Sequence, residues 1–592
     1  MKAKAKLRYE RLNHQFLTAL EWVETTEALR SNHFKQVWKA CLENRDPEEG
    51  TFEWLHPLIL AAKANAEDNP TWRDAMNGPM ADGYWKAAEV EIETLLKNET
   101  WEEVDRESWM NVIKSTWAFK CKRYPDGRVK KLKARFCVRG DQQIQGVDFN
   151  ETFSPVVSWN TVRLMLILSQ VMNLANVQVD YVAAFTQAPI DTDVYCEMPQ
   201  GFRKDGKVLK LKKSLYGLCQ SPLNFYNHLK ANLESIGFEC QQSVDPCLFI
   251  SPKCICLVYV DDTLFFAPKP EYIDEAIEKL RATGMVLERE DSVAGFLGVH
   301  VDRDETNGHI KLTQKGLIKR IIQAALVEDQ PIKHTPAKTS PLVSDKDGEP
   351  AEGTFNYASV IGMLLYLSGH SRPDITFAVS QCARFIHGTR KSHERAIQQI
   401  ARYLKGTQDE GLILKPTPEF NIDCYVDADV AGLYPLEEIT DPTCVKSRAG
   451  WVVCICNCPV MWASKLMPEL CLSTMEAEYC ALSRAMKDVI PIQTLFGTLA
   501  AALGVSEGER NTFRTTVWED NMGALTLASM EPGRFTPRSK HYAVKAHWFR
   551  SKLKPTRTTV LKIDTSEQRA DILTKGLGVA KFRQIRLLLC GW

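Results

Sequence analysis

Apolar residues recur at two spacings along the 592-residue chain, and each spacing predicts one kind of secondary structure. A recurrence every three or four residues predicts helices over 83–96 and 162–174, and a helical stretch over 357–405. The same spacing occurs within 1–70, where no residue pattern indicates chemistry. A segment rich in Pro, Asp and Ser over 328–354 interrupts the pattern and predicts a linker.

Alternation of apolar and polar residues predicts strands elsewhere. Residues 117–138 alternate around a turn at Pro125-Asp126-Gly127, which predicts a hairpin with many basic residues. A short strand is predicted over 177–182, and two apolar, β-rich runs over 254–267 predict a second hairpin. A further strand-rich region begins at Phe420, so we expect a domain boundary near that residue.

Composition excludes several classes of protein. Charged residues make up 25% and hydrophobic residues 44% of the chain, as in soluble globular proteins of several domains. No apolar run is long enough for a membrane span, and the basic N-terminus leads into no apolar stretch, which excludes a secretory signal. The 18 scattered cysteines favour reduced thiols in the cytosol or nucleus. Cys454, Cys456 and Cys458 alternate as on one face of a strand, where buried residues are favoured over a metal site.

The chain has 74 basic and 74 acidic residues, and a net charge of zero argues against a nucleic-acid partner. The basic residues are, however, concentrated in two blocks. Residues 114–139 contain ten Lys or Arg and one acidic residue, and residues 534–562 contain nine Lys or Arg and no acidic residue. Either block alone is typical of a solvated surface. Because both flank carboxylate motifs, we interpret them as phosphate-binding segments.

Adjacent aspartates mark the second predicted hairpin. Asp261 and Asp262 stand at its tip, where a turn that only reverses the chain favours Asn-Gly or Asp-Gly. Asp180 ends the predicted strand 177–182. Three carboxylates held by apolar strands are typical ligands for a pair of Mg²⁺ ions in phosphoryl transfer.

A second set of acidic residues follows Phe420. Asp427 lies within a predicted strand, where an unpaired charge is costly. Glu478 follows the start of a predicted helix, Asp520 ends a strand, and Asp571 begins another helix. Each alone is typical of a helix cap or a surface acid.

Several motifs together resemble the reverse transcriptase and ribonuclease H of copia-type LTR retrotransposon Pol proteins. The resemblance covers about 72–577, which is most of the chain. The motifs are Trp72-Arg73-Asp74-Ala75-Met76, Lys133-Ala134-Arg135, Glu151-Thr152-Phe153-Ser154-Pro155-Val156, Leu215-Tyr216-Gly217-Leu218, Tyr259-Val260-Asp261-Asp262 and Arg402-Tyr403-Leu404-Lys405.

The resemblance implies roles in DNA synthesis. Lys133 and Arg135 match the segment that contacts the incoming triphosphate, and Phe185 matches the aromatic gate that excludes a ribose 2′-hydroxyl. Gly217 matches a loop that approaches the template and nucleotide. The catalytic, metal-binding acids of the polymerase are then Asp180, Asp261 and Asp262.

The resemblance also implies hybrid cleavage. Asp427, Glu478, Asp520 and Asp571 match the four catalytic, metal-binding acids of the ribonuclease H; Glu478 is preferred over Glu476 because Glu-Tyr-x-Ala-Leu is the matching frame. Each active site is expected to use two Mg²⁺ ions, with Mn²⁺ as the alternative. Residues Ser539-Lys540-His541-Tyr542 resemble an element that contacts a nucleic-acid strand.

The predicted fold class is α+β, a right-hand polymerase of fingers, palm and thumb followed by a ribonuclease H-like α/β domain. The predicted organisation comprises an N-terminal extension (1–71), fingers and palm (72–318), thumb and connection (319–418) and ribonuclease H (419–592). No motif assigns a role to the extension 1–71.

The resemblance implies RNA- and DNA-directed DNA synthesis, with cleavage of the RNA template. The expected partners are an RNA template, a DNA primer, an RNA–DNA hybrid and dNTPs, together with the element's integrase and capsid, and no membrane. Virus-like particles in the cytoplasm, or the nucleus, are the expected location. Two alternatives stay open: a non-catalytic or domesticated nucleic-acid-binding remnant, and a ribonuclease whose polymerase half is structural. The intact acids favour an active polymerase.

Overall fold

A computed structural model describes residues 68–123, 129–290, 295–304, 306–437, 443–531, 534 and 543–592. The helical spacing within 1–67, the turn at Pro125-Asp126-Gly127 and the segment Ser539-Lys540-His541-Tyr542 lie outside these residues. The domain boundaries given above stay predictions.

The first part of the described chain is built around the basic hairpin. Strands β3 (Ser115–Arg123) and β4 (Val129–Val138) pair antiparallel, which confirms the predicted hairpin. Trp117 and Phe119 are buried while Lys120 is exposed, so the alternating sequence directs one face into a core. That core also receives the other elements of this part, which are α1 (Trp72–Asn77), α2 (Ala81–Lys97), β1 (Trp101–Asp105), β2 (Val112–Ile113), β6 (Tyr195–Cys196) and β7 (Lys207–Leu211).

A six-stranded sheet carries the second predicted hairpin. Its strand order is β12 (Leu287–Glu290), β5 (Ala175–Tyr181), β11 (Asp262–Ala267), β10 (Ile255–Tyr259), β9 (Leu248–Ile250) and β8 (Glu239–Cys240). Strands β10 and β11 are buried along almost their whole length, as their apolar sequence predicts. The helices in the same core are α3 (Trp159–Val171), α4 (Ser221–Ser235) and α5 (Pro270–Ala282). Helix α3 begins three residues before the predicted start because the Ser158 hydroxyl caps the N–H of Asn160.

A sheet and a group of helices connect the two halves of the chain. The sheet consists of β13 (Gly295–Phe296), β14 (Val299–Asp304), β15 (His309–Thr313) and β16 (Leu412–Leu414). The helices are α6 (Lys315–Ala324), α7 (Tyr357–His370), α8 (Thr376–Ala383) and α9 (Lys391–Lys405). The helical prediction over 357–405 is therefore confirmed, and 328–354 contains no helix, as expected of a linker.

The last part of the chain is a five-stranded sheet covered by helices. The strand order is β19 (Cys458–Leu466), β18 (Arg448–Ile455), β17 (Ile422–Asp429), β20 (Thr515–Glu519) and β21 (Thr558–Lys562). Strands β17, β20 and β21 run parallel, whereas β17, β18 and β19 are antiparallel. The helices are α10 (Thr474–Ala502), α11 (Glu507–Arg510), α12 (Met522–Ala528), α13 (Ala543–Leu553), α14 (Asp571–Thr574) and α15 (Val579–Cys590). This architecture confirms the predicted α+β fold class, a polymerase-like part followed by a ribonuclease H-like α/β domain.

The alternating cysteines do not share one strand, so that prediction was wrong. Cys454 lies on β18 and Cys458 on β19, while Cys456 stands in the turn that joins the two strands. Cys456 and Asn457 have φ values of 50° and 64°, which reverse the chain where alternation alone predicts a continuous strand. All three cysteines are buried, in agreement with the interpretation as core residues.

One arginine joins the two halves of the molecule. Arg163 of α3 is buried; its Nε donates to the carbonyl of Val460, 2.6 Å away, and its Nη1 to the carbonyl of Gly369, 2.9 Å away. Its guanidinium also lies 4.3 Å from the centroid of the Trp462 ring. The α/β domain thus contacts helix α3 of the first half directly.

Candidate active sites

The acidic residues of the first half meet across two neighbouring strands. Asp180 of β5 is the direct cross-strand partner of Asp262, the first residue of β11. Directly opposite residues project from the same face of a sheet, so both carboxylates face one space. Asp261 stands in the turn between β10 and β11, next to Val260, whose φ is 50°. A β-branched residue rarely adopts this left-handed backbone, which marks the turn as locally strained.

The electrostatics of this turn disfavour three simultaneous negative charges. Burial, followed by the charges of Asp261 and Asp180, raises the pKa of Asp262 to about 7. Burial also raises the pKa of Asp180, and Lys133 opposes that rise. Glu288 of β12 is the partner of Asp180 on its other side and raises its pKa further. Sequence analysis missed Glu288 because only strand pairing places it beside Asp180.

The two basic residues expected at the triphosphate lie on β4 and act on the same acids. Lys133 and Arg135 both lower the pKa of Asp180, and burial lowers the pKa of Lys133 itself. Glu91 of α2 was not predicted; its Oε1 accepts the N–H of Phe136 at 3.3 Å, and burial raises its pKa to about 7. The basic hairpin therefore brings two cations to the aspartates.

The predicted sugar gate is part of an aromatic contact. Phe185 is buried, and its ring centroid lies 4.9 Å from that of Tyr216. The guanidinium of Arg135 lies 4.6 Å from the centroid of the same Tyr216 ring. Gly217 follows with a φ of 90°, a conformation that favours glycine. Tyr216, whose role no motif had indicated, thus links the expected gate to the expected phosphate contact.

Three of the four acids of the second half converge. Ligand oxygens of Asp427, Glu478 and Asp520 lie within 4.8 Å of one another, the one such group of three in the described ranges. Asp427 comes from the middle strand β17, Glu478 from the first turns of α10, and Asp520 directly follows the adjacent strand β20. Glu476 instead accepts the N–H of Leu472 at 2.8 Å with its side chain.

Asp571, the fourth acid, is held beside this group by cations. Its Oδ1 lies 2.7 Å from the Nζ of Lys575, and its other oxygen pairs with Lys581. Lys575 also lies 3.6 Å from Asp427, which accepts a hydrogen bond from the Thr574 hydroxyl. No motif in the sequence marks Lys575, which pairs with both carboxylates.

A further buried carboxylate, Glu519, borders the group. Burial, followed by the charges of Glu519 and Asp427, raises the pKa of Glu478 to about 11. Burial likewise raises the pKa of Glu519 to about 8. The Oε2 atoms of Glu478 and Glu519 are both buried without a hydrogen-bond partner. Converging hard oxygen donors with unused lone pairs fit a divalent cation such as Mg²⁺ or Mn²⁺.

The chain is similar to known reverse transcriptases and retrotransposon Pol polyproteins. Residues 98–339 match the family described as reverse transcriptase (RNA-dependent DNA polymerase). The chain is 30% identical over 533 residues to the retrovirus-related Pol polyprotein from transposon TNT 1-94 of Nicotiana tabacum, covering 87% of this chain and 38% of that protein. It is 26% identical to the transposon Ty1-DR6 Gag-Pol polyprotein of Saccharomyces cerevisiae, covering 84% of this chain and 28% of that protein.

A solved foamy viral protease-reverse transcriptase in complex with double-stranded DNA has 15% sequence identity and a TM-score of 0.42, covering 81% of this chain and 69% of that one. By their match to the family, residues 98–339 form a reverse transcriptase domain. The chain is similar to copia-like retrotransposon Pol polyproteins, and it spans under two fifths of the length of the two Pol relatives above. Among the helices that the structure describes, none is both long and apolar enough to cross a membrane.

Proposed function

We propose that the chain synthesises DNA on RNA and DNA templates and cleaves the RNA strand of an RNA–DNA hybrid. The pairing of Asp180 with Asp262, within the matched reverse transcriptase region, carries the first activity. The convergence of Asp427, Glu478 and Asp520 supports the second. We further propose the domain boundaries given above, with ribonuclease H over 419–592.

In the polymerase site, Asp180, Asp261 and Asp262 would hold the divalent cations. Bound cations of this kind lower the pKa of an attacking hydroxyl or water and neutralise charge that develops on phosphate. Lys133 and Arg135 bind the triphosphate of the dNTP, for which the planar guanidinium suits two-point phosphate contact. Gly217 lets the backbone approach the template and nucleotide.

Phe185 sets the choice of sugar in this proposal. Its ring contacts Tyr216, and the guanidinium of Arg135 lies over the same Tyr216 ring, so Tyr216 joins the gate to the phosphate contact. A ribose 2′-hydroxyl would meet the Phe185 ring, whereas deoxyribose leaves that space free.

In the ribonuclease site, Asp427, Glu478, Asp520 and Asp571 would hold the cations. Lys575 keeps Asp571 close to Asp427 and offsets part of their mutual repulsion. The hybrid would be recognised through 2′-hydroxyls in its minor groove. The proposed partners are an RNA template, a DNA primer, a hybrid, dNTPs and the element's integrase and capsid, in cytoplasmic particles or the nucleus.

Primer extension tests the proposal. The wild-type chain, Asp261→Asn and Asp427→Asn are each given a primed RNA template with dNTPs and Mg²⁺, and separately a labelled hybrid. Extension by the wild type and by Asp427→Asn, but not by Asp261→Asn, would support the polymerase assignment. Salt-dependent template binding without extension by any protein would overturn it in favour of a non-catalytic binding remnant.

A further inference from the structure

Glu519 is a carboxylate that no motif in the chain marks, and it lies at the ribonuclease site. It ends strand β20 immediately before Asp520, and its side chain is fully buried. Its Oε1 accepts the N–H of Asn521 at 2.9 Å, while its Oε2 has no partner. One of the two carboxylate oxygens of Glu519 therefore lacks a hydrogen-bond donor.

Glu519 and the acids of the site act on one another electrostatically. Among charged groups, Glu519 acts most strongly on Glu478, whose own Oε2 also lacks a donor. The charged groups that act on Glu519 in turn include Asp520 and Asp427, and both are acidic. Two buried carboxylates that each have one oxygen without a donor are costly unless a cation compensates them.

Other buried acids of the chain show what a purely structural carboxylate looks like. Asp374 forms an ion pair with Arg372 at 2.8 Å and accepts the hydroxyl of Tyr403 at 2.6 Å. Glu437 forms an ion pair with Arg384 at 2.9 Å. Glu519 has no such cationic partner among the described contacts, and it directly precedes Asp520, one of the three converging acids.

We propose that Glu519 is an additional positioning residue of the ribonuclease metal centre, a fifth carboxylate whose negative charge strengthens the binding of divalent cations by Glu478 and Asp520. The inference rests on the proposed ribonuclease function. Because Glu519 directly precedes Asp520 and acts electrostatically on Glu478, its charge acts on the cation without requiring direct coordination.

Binding of Mn²⁺ to the full-length chain provides the test. Free Mn²⁺ is measured by electron paramagnetic resonance for the wild type, Glu519→Gln, Glu519→Asp and Asp427→Asn. The Mn²⁺ sites that Asp427→Asn loses are those that belong to this centre. We expect Glu519→Gln to weaken these sites about tenfold, equivalent to about 1.4 kcal/mol. Glu519→Asp keeps the charge and should retain most of the affinity.

Asp423→Asn is the matched control, because Asp423 is an acid of the same sheet that pairs with the Trp518 indole at 2.8 Å. Its Mn²⁺ affinity should equal that of the wild type. Unchanged Mn²⁺ affinity in Glu519→Gln would overturn the inference, as would equal weakening in Glu519→Asp. If the wild type binds Mn²⁺ in a Glu519-dependent way but does not cleave an RNA–DNA hybrid, the proposed ribonuclease function is overturned instead.

Discussion

Asp180 and Asp262 are direct partners across two antiparallel strands, although they are far apart in sequence. Their carboxylates project from one face of the sheet, and the turn that carries Asp261 closes the same hairpin. The second acidic group lies on a different sheet, so the two proposed activities depend on separate residues.

Replacement of one polymerase acid should separate the two activities. We expect Asp261→Asn to reduce primer extension by about a thousandfold or more, since removal of one key electrostatic group costs that much in comparable sites. Hybrid cleavage by the same protein should stay close to the wild-type rate. The reciprocal variant, Asp427→Asn, should cleave poorly and extend normally. Loss of both activities in either variant would contradict two independent sites.

The aromatic gate predicts a change in sugar selection. In Phe185→Val the side chain no longer fills the space beside Tyr216, so a 2′-hydroxyl can be accommodated. We expect the preference for dNTP over rNTP, measured as the ratio of kcat/KM values, to fall by about a hundredfold, or about 2.7 kcal/mol. Phe225→Leu, which alters a ring 6.3 Å from Phe185, is the packing control. An unchanged ratio in Phe185→Val would refute the gate assignment.

The raised pKa of Asp262 predicts a pH-dependent metal site. Protons compete with the cation below about pH 7, so Mg²⁺ affinity at this site should weaken by up to about tenfold per pH unit there. The free energy of unfolding, measured without a divalent cation, should change with pH in the opposite direction to the Mg²⁺ affinity. The folded state keeps a proton that the unfolded state releases, so this group's contribution is complete at low pH and is lost as pH rises through about 7.

Calorimetric titration at a series of pH values measures the Mg²⁺ affinity. Denaturation without Mg²⁺ over the same pH values measures the free energy of unfolding, and both should show a transition near pH 7. In Asp261→Asn one of the charges that raise the pKa of Asp262 is absent, so the transition should move to lower pH. A transition that stays in place would show that the charge of Asp261 does not act on Asp262.

The buried Arg163 is predicted to stabilise the contact between the two halves of the molecule. Arg163→Met leaves the carbonyls of Val460 and Gly369 without their donor, at a cost of about 1–3 kcal/mol for each buried group. We expect a lower denaturation midpoint and an earlier transition of the α/β domain in tryptophan fluorescence. Arg203→Met removes an exposed ion pair and should leave the midpoint unchanged. Equal midpoints for both variants would contradict this prediction.

Sequence alone determined the features that depend on short-range order. The hairpin that carries Asp261 and Asp262 could be predicted because two buried strands and their turn are continuous in the chain. The N-terminal placement of Asp571 on a helix was predictable for the same reason. The start of α3 was missed by three residues, since a serine cap is a weaker signal than apolar spacing.

Tertiary structure decided which residues share a site. Glu288 adjoins Asp180 only because β12 pairs with β5. Glu519 acts on Glu478 only because α10 packs on β17, the strand beside β20. Strand order and helix packing set these distances, and no local pattern encodes them. Burial then raises the pKa of Asp262 and Glu478, because the low-dielectric interior penalises charge that the same residues would carry freely in an extended chain.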